Sequence, residues 1–271
     1  MGVIPASEET MSYYDYDKFM TVSQFKAYKE CSAKAKAKQD GLWKDEFTDA
    51  MLVGSYVDVF LTGTTEEYIE FEHTYSDRII KRDKKPYAYI TKADDAIKHL
   101  QKQPLAMKYL DGEHQAVMYG QIEGVPFKIK MDAYKPGEYI TDLKYLASLR
   151  SPNLFQNVIK YWGYDIQAAC YQEIVRQNTG EKLPFYFVIA TKEDPPKVVV
   201  AEIKQHNMDE ALEEVKRNIK KFYAIKMGEL PPENCGECDY CVETMIQTEI
   251  IDTDMLGVSK KQRDYMKEKG L

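Results

Sequence analysis

The sequence predicts a mixed α/β fold in which a central sheet is flanked by helices. Three observations predict it. Residues 115–145 form three short segments of alternating apolar and polar side chains, separated by turns. A long helical pattern then runs from residue 152 to about residue 178, and a strongly apolar strand pattern follows at 185–191. Strands and helices in this order bury their apolar faces by packing in layers.

The part of the chain before the central sheet is mainly helical in its pattern. Ser23 is a good N-cap for a first helix, Gly63 ends a second, apolar helix, and Pro104 breaks a third. The alternation of apolar and polar residues between Ile69 and Tyr75 indicates a strand. The elements predicted here are helices at 23–39, 49–61 and 92–110 and a strand at 69–75.

The remaining elements are strands joined by short turns or by long helices. The turns at Ile122-Glu-Gly124 and Pro136-Gly137 are short enough to join three neighbouring strands as an antiparallel meander. Gly180 ends the long helix that follows the meander. The predicted elements are strands at 115–120, 125–134, 139–145, 185–191 and 198–203 and helices at 152–178 and 208–227.

The length of 271 residues suffices for one large domain, and the composition is ordinary for a globular protein. We predict an N-terminal arm at 1–20, a single domain at 21–245 that includes a cysteine cluster, and a C-terminal tail at 246–271. No apolar segment has the length of a membrane span, and the first residues lack the basic start and apolar stretch of a signal peptide. We therefore expect a cytoplasmic protein.

The most informative residues are Asp132, near the end of the second meander strand, and Asp142 and Lys144 on the third. Residues two apart on a strand point to the same face, and a hairpin register can bring Asp132 beside the other two. Two carboxylates held close together repel unless a cation neutralises them, and Mg²⁺ or Mn²⁺ prefers oxygen ligands. The segment is therefore a candidate metal site that acts on phosphodiesters. A surface salt bridge between Asp142 and Lys144 is the alternative interpretation.

The order of the motifs resembles the PD-(D/E)XK nuclease superfamily, and in particular its RecB-like members. An aspartate, a turn and then Asp-x-Lys on adjacent strands are followed by a long helix that carries Gln167-Ala-Ala-Cys-Tyr171, similar to the family's Q-x-x-x-Y motif. Ser23-Gln-Phe-Lys-Ala-Tyr28 resembles the family's opening helix, and Gly54-Ser-Tyr-Val-Asp58 occupies the place of Gly-x-x-x-His. The resemblance covers residues 21–242, and it is closest to phage and prophage RecE-like exonucleases, relatives in function of lambda exonuclease. It implies a restriction-endonuclease-like core.

The resemblance also implies roles for individual residues. Asp132, Asp142 and Asp58 would bind Mg²⁺ or Mn²⁺, with Asp58 in place of the family's histidine; a helix-terminal carboxylate without a ligand role is the alternative. Gln167 and Tyr171 lie four apart on one helix face, which in the family looks toward the active site and the DNA. Ordinary packing is the alternative for both. Glu113 corresponds to a supporting glutamate, or it is an exposed loop carboxylate.

Clustered cysteines are the second notable feature. Cys235, Cys238 and Cys241 can wrap one metal or cluster, and Cys31 is the candidate for the fourth ligand. One early and three late cysteines hold an iron–sulfur cluster in some RecB-like nucleases, including the AddB type and a CRISPR-associated family, although the last gap is shorter here. The resemblance therefore implies an iron–sulfur cluster. Zinc and three free thiols are the alternatives.

Three functions follow from these patterns. The first is an exonuclease that resects double-stranded DNA ends from 5′ to 3′, as a homo-oligomer with a single-strand annealing protein as its partner. The second is an iron–sulfur nuclease that trims single-stranded DNA ends. The third is an inactive DNA-binding module of the same fold.

The net charge of −7 argues against a simple DNA-coating protein, because such proteins are usually basic. A nuclease can still be acidic, since its metal-binding carboxylates add negative charge, but its contact with DNA then needs local basic patches. Candidates for such patches are Lys34, Lys36, Lys38, Arg150 and Lys160. A solvated helix face is the alternative for each of them.

Overall fold

A computed structural model describes residues 18–153, 157–246, 250, 252–255, 257–258 and 260–269 of the chain. Almost all of the predicted N-terminal arm, and several positions of the predicted tail, lie outside the described residues. Within the described residues, the contacts divide into two compact units. Unit 1 contains the residues up to Phe19 and Phe47–Glu214, and unit 2 contains Met20–Glu46 and the residues from Val215 onward.

Unit 1 contains a mixed sheet with helices packed on it. In the described part of the chain the sheet has five strands in the order β1-β2-β3-β4-β5. These are β1 (Glu113–Ile122), β2 (Val125–Lys135), β3 (Tyr139–Leu146), β4 (Phe185–Thr191) and β5 (Val198–Glu202). β1, β2 and β3 are antiparallel neighbours, β3 and β4 are parallel, and β4 and β5 are antiparallel. The predicted mixed α/β architecture, a central sheet flanked by helices, is confirmed.

Helices make up most of the remaining described chain. They are α1 (Val22–Glu30), α2 (Ser32–Gln39), α3 (Asp49–Thr62), α4 (Thr65–Thr74), α5 (Ser76–Ile79), α6 (Ala88–Gln101), α7 (Pro104–Tyr109), α8 (Val158–Tyr161), α9 (Tyr164–Thr179), α10 (Gln205–Lys226), α11 (Asp239–Thr244) and α12 (Lys260–Lys269). The division between the two units falls inside α10. No helix among the described residues is both long and apolar enough to cross a membrane.

The core of unit 1 explains which strand positions are left for the site. Leu143 on β3 and Val188 on β4 are buried in one cluster with residues of α3 and α6, such as Val57 and Ile97. Helix α9 packs against β1 and β2. Because neighbouring residues on a strand point to opposite faces, the residues flanking Leu143 point away from this cluster.

Two predicted elements near the N-terminus are corrected by the structure. The first predicted helix is two helices, because Cys31 has an extended backbone with φ −155° and ψ 104°. Its N-cap is Thr21 and not Ser23: the Thr21 hydroxyl accepts a hydrogen bond from the Gln24 N–H in a capping box. The next capping box, from Thr64 to Glu67, begins a further helix.

The strand predicted at 69–75 was wrong, because this segment lies in helix α4. The side chains of Tyr68, Phe71 and Tyr75 recur at helical spacing and fall on one face. They form an aromatic cluster with Tyr56 of α3, with ring centroids 6.2 Å apart for Tyr56 and Tyr68 and 4.8 Å for Phe71 and Tyr75. Burial of these rings against α3 outweighs the apparent alternation.

The helix predicted from residue 152 begins later, at Tyr164. Gly163 has φ +62°, in the left-handed region that glycine adopts readily, and it separates the short helix α8 from α9. The turn sets the position of Tyr164 at the start of α9. Gly180, with φ +82°, ends α9 as predicted.

Candidate active site and a group of four cysteines

Asp142 and Lys144 form an ion pair on β3, so their side chains lie on one face of the strand. The Asp142 side chain is 2% exposed and that of Lys144 is 18% exposed. Gln167 of α9 donates a hydrogen bond of 2.5 Å from Nε2 to Asp142 Oδ1. A buried carboxylate is therefore held between an ammonium group and an amide.

Asp132 lies beside this pair, where the sheet is irregular. Its Oδ2 accepts a hydrogen bond of 2.7 Å from the backbone N–H of Leu143. The pairing of β2 with β1 passes from Ala133 to Met131 and skips Asp132, while Gln115 on β1 has φ +51°. The register is the same on both sides of this gap, so no residue is inserted. The β2–β3 pairing ends at Ala133 and Thr141, and the Asp132 carboxylate accepts the N–H of Leu143 beyond that end.

Asp58 is on α3 and approaches the same region. The buried Thr62 hydroxyl lies 2.8 Å from Asp58 Oδ1, and Gln115 Nε2 donates a hydrogen bond of 2.8 Å to Thr62 Oγ1. The chain of contacts from Gln115 through Thr62 fixes the orientation of the Asp58 carboxylate. The sequence analysis did not identify Thr62 or Gln115. For Thr62 a signal was present, because it follows Asp58 by four residues and so lies beside it on the same helix face.

The three carboxylates perturb each other electrostatically. Burial raises the pKa of Asp132 well above its ordinary value, and the negative charges of Asp142 and Asp58 raise it further. Burial also raises the pKa of Asp58, with the Thr62 hydrogen bond lowering it and Asp142 raising it. The carboxylates of Asp58 and Asp132 therefore favour neutralisation, by a proton or by a bound cation.

Lys144 supplies part of the compensating charge. Burial lowers its pKa, but the charges of Asp142 and Asp132 raise it more, and the net pKa lies above the ordinary lysine value. The ammonium also lies 4.9 Å from the centre of the Tyr164 ring. Lys144 therefore stays protonated at neutral pH and is held from two sides. Tyr164 was also missed, since a single tyrosine at a helix start gives no signal in the sequence.

Tyr171 lies on the same helix as Gln167 and is 8% exposed. Its hydroxyl donates a hydrogen bond of 2.8 Å to the carbonyl oxygen of Lys130 on β2. Tyr171 thus ties α9 to the strand that carries Asp132. Glu113 is exposed at the start of β1, opposite Tyr134.

The donor set fits a hard divalent cation such as Mg²⁺ or Mn²⁺. Asp58, Asp132 and Asp142 offer carboxylate oxygens, which are the ligands that such a cation prefers. Among the described residues, the three carboxylates do not have their oxygens all within 4.8 Å of one another. Coordination of one ion by all three therefore requires their carboxylates to move closer together.

The lysines of α2 that were predicted to form a basic patch are paired with aspartates. Lys34 lies 2.6 Å from Asp239 and Lys36 lies 2.6 Å from Asp40, and Lys38 pairs with Asp45. Their positive charge is largely neutralised within unit 2. In unit 1 the candidate Lys160 lies 3.4 Å from Glu210.

Four cysteines meet in unit 2. The Sγ atoms of Cys31, Cys235, Cys238 and Cys241 all lie within 4.8 Å of one another. Cys31 and Cys241 are buried, and the other two are half-buried. A group of four thiols at this spacing could hold a metal. The fifth cysteine, Cys170, is buried in α9, where burial raises the pKa of its thiol.

If Asp142 is a metal ligand, we expect the substitution Gln167→Ala to lower the activity of the site by about 10–100-fold, because an amide that orients a metal-ligating carboxylate has effects of this size. The Mn²⁺ concentration for half-maximal activity should rise as well, which a purely structural role would not cause. The matched control is Gln177→Ala on the same helix, where the side chain bonds the backbone of Gln121. An unchanged Mn²⁺ midpoint for Gln167→Ala would contradict a positioning role.

Comparisons with known proteins identify relatives. Residues 21–244 match a family described as a PDDEXK-like domain of unknown function (DUF3799). A crystal structure of a protein named as a putative exonuclease from Eubacterium rectale is 34% identical, with a TM-score of 0.82, and covers 95% of this chain and 99% of that one. A crystal structure of SSO0001 is 14% identical, with a TM-score of 0.30, over 85% of this chain and 96% of that one, which is too low to support an argument. No curated protein sequence gives a significant match.

Proposed function

This chain belongs to the family of PDDEXK-like domains (DUF3799), and we propose that it is a metal-dependent deoxyribonuclease. One observation carries the proposal: Asp142, Lys144 and Gln167 are in direct contact on one face of β3, with Asp132 bonded to the backbone of the intervening Leu143. A purely structural ion pair between Asp142 and Lys144 would not need the buried carboxylate of Asp132 beside it, because the negative charges of Asp132 and Asp142 repel each other.

The proposed ligands of a divalent cation are Asp132, Asp142 and Asp58. The cation would stabilise negative charge on the scissile phosphate and activate a water molecule. Lys144 stays protonated, so its ammonium can orient the attacking water and stabilise the negative charge that develops on the phosphate. The ring of Tyr164 restricts the ammonium to this position.

The remaining proposed residues position this centre. Gln167 holds the Asp142 carboxylate through Nε2 and leaves its own carbonyl oxygen to face water or phosphate. Tyr171 is a structural tie between α9 and β2 through the Lys130 carbonyl. Glu113, which is exposed at the start of β1, is proposed to support the site.

For the substrate we propose double-stranded DNA ends, resected from 5′ to 3′ by an exonuclease. The 34% identical relative from Eubacterium rectale is named as an exonuclease, which supports this choice over an internal endonuclease. The RecE-like resemblance further suggests a homo-oligomer that encloses DNA and a single-strand annealing protein as its partner. Enclosure would supply the DNA affinity that an acidic chain with neutralised lysines lacks.

A second candidate is a nuclease that trims single-stranded DNA ends. The observation in its favour is the group of four cysteines, an arrangement of one early and three late residues that resembles the CRISPR-associated nucleases. Both candidates use the same catalytic residues, so the substrate separates them.

The test is digestion of end-labelled DNA by the purified full chain with Mg²⁺ or Mn²⁺. A duplex labelled at its 5′ ends should release labelled mononucleotides or short oligonucleotides early, whereas a 3′ label should remain on long strands. The variant Asp142→Ala should release no labelled product from either duplex. Faster degradation of single strands than of duplex would favour the second candidate, and DNA binding without any cleavage in either metal would favour an inactive binding module.

A further inference from the structure

The sulfur atoms of the four cysteines are spaced like the ligands of one metal ion. Cys31 Sγ lies 3.6 Å from Cys241 Sγ, and Cys235 Sγ lies 3.9 Å from Cys241 Sγ. All four Sγ atoms, including that of Cys238, lie within 4.8 Å of one another. The group is therefore compact in all directions and does not divide into two separated pairs.

Tetrahedral geometry gives the spacing expected for one ion. With a Zn–S bond of about 2.3 Å, the edge of the sulfur tetrahedron is about 3.8 Å. The Sγ–Sγ distances of 3.6 Å and 3.9 Å lie on either side of this value. In a four-iron cluster each thiolate binds a different iron, so the sulfurs stand roughly 6 Å apart. A two-iron cluster likewise separates its two pairs of thiolates by the width of the cluster. Neither arrangement has all four sulfurs within 4.8 Å.

The backbone supports the same geometry on the C-terminal side. The backbone N–H groups of Glu237 and Cys238 donate to Cys235 Sγ over 3.5 Å and 3.3 Å. Gly236, between Cys235 and Glu237, has φ +80°, which allows the tight turn. Backbone N–H donors that converge on a sulfur favour its thiolate form, which is the form that binds metal.

Cys31 completes the site from the N-terminal segment of the same unit. Its extended backbone separates α1 from α2, and its Sγ accepts a hydrogen bond of 3.4 Å from the Lys34 N–H at the start of α2. Cys241 lies in α11, three residues after Cys238, the N-cap of that helix. One ion at the centre of the group would join two segments about 200 residues apart in the sequence.

We infer that the four cysteines bind a single Zn²⁺ ion as a structural site of unit 2, in place of the iron–sulfur cluster that the sequence resemblance implied. The inference rests on the sulfur spacing and does not depend on nuclease activity. The ion would bind as a closed site with four thiolates and no open position, so its contribution is to stability and not to the reaction.

The deciding experiment is elemental analysis of the wild-type chain, expressed with both zinc and iron in the medium and purified without oxygen. We expect about one zinc per chain, little iron or acid-labile sulfide, and no broad visible absorbance of an iron–sulfur cluster. Replacement of the zinc by Co²⁺ should give the visible bands of a tetrahedral cobalt thiolate site. Several irons with matching sulfide per chain, or a chain with no bound metal, would overturn the inference.

A stability measurement adds a second readout on the same protein. Removal of the metal by a strong chelator should lower the melting temperature by about 10 °C or more, and added Zn²⁺ should restore it. The variants Cys238→Ser and Cys241→Ser should each lose most of the zinc, whereas Cys170→Ala, which changes a cysteine of unit 1, should keep it. Full zinc content in Cys241→Ser would contradict the proposed ligand set, and a variant that fails to fold leaves the wild-type stoichiometry as the test.

Discussion

Replacement of Lys144 with methionine is expected to lower the rate of DNA cleavage by about 10³-fold, because the ammonium is removed from the place where the phosphate gains negative charge. Methionine keeps most of the apolar stem, so the packing around it changes little. The ion pair with Asp142 is lost, and a bound divalent cation would compensate for that loss. Initial rates on an end-labelled duplex, with saturating Mn²⁺, measure the effect.

The matched control for this variant is Lys135→Met. Lys135 is also a lysine on a strand of the sheet, but it pairs with Asp111 at 2.6 Å on the surface and has no contact with the site. We expect its cleavage rate to stay within about twofold of the wild type, since exposed ion pairs contribute little. Binding of labelled duplex in Ca²⁺, followed by fluorescence anisotropy, should be similar in both variants and the wild type. Equal cleavage rates for Lys144→Met and Lys135→Met would remove Lys144 from the mechanism.

Asp132→Asn is expected to abolish cleavage and at the same time to stabilise the metal-free protein at neutral pH. Burial and the charges of Asp142 and Asp58 raise the pKa of Asp132 in the folded state. The folded protein therefore favours the protonated carboxyl more strongly than the unfolded chain does. Ionisation of Asp132 destabilises the fold as the pH rises above the unfolded value of about 3.9 and through the raised folded value. Asparagine cannot ionise and can still accept the Leu143 hydrogen bond.

The stabilising effect of Asp132→Asn is expected to depend on pH. Below the unfolded pKa both proteins are uncharged at this position, and their melting temperatures should differ least. The melting temperature of Asp132→Asn should exceed that of the wild type by more as the pH rises, and the difference should be greatest near pH 7–8. Each kcal/mol of repulsion removed should raise the melting temperature by about 2–4 °C. Thermal unfolding in buffers from pH 4 to 8 with a chelator of divalent cations measures it. A melting temperature for Asp132→Asn below that of the wild type at pH 7.5 would refute the electrostatic account.

Divalent cations should reverse the order of stability. Mn²⁺ at 100 times its dissociation constant would stabilise the wild type by about 2.7 kcal/mol, because it binds the folded state only. The variant has lost a ligand and should gain much less. Asp111→Asn is the control. The pKa of this exposed carboxyl is shifted in the opposite direction to that of Asp132, because its hydrogen bond with Lys135 lowers it. Asp111→Asn should show neither the stabilisation at high pH nor the loss of the Mn²⁺ response.

Much of unit 1 was predictable from the sequence because its signals are local. The alternating segments at 115–145 predicted β1, β2 and β3 as an antiparallel meander, and the apolar run at 185–191 predicted β4. Short turns and side-chain alternation act between residues close in sequence, so they can be read without tertiary contacts. The motif order also predicted the PDDEXK-like family, which the match over residues 21–244 confirms.

The errors arose where packing decided the local structure. The strand expected at 69–75 is helical because Tyr68, Phe71 and Tyr75 pack with Tyr56 of another helix. The helix expected from residue 152 is interrupted at Gly163, and that interruption places Tyr164 against Lys144. The residue pattern of one segment does not indicate which other segment will pack against its apolar face.

The sequence by itself determined the chain order of strands β1 to β5, the family, and the candidate residues Asp132, Asp142 and Lys144, since each is encoded by residue type and short spacing. Only the tertiary structure decided that Gln115 and Thr62 hold Asp58, that Gln167 bonds Asp142, and that Cys31 reaches three cysteines about 200 residues later. The reason is physical: distances between residues far apart in the chain, and the pKa shifts that depend on them, are set by how the elements pack.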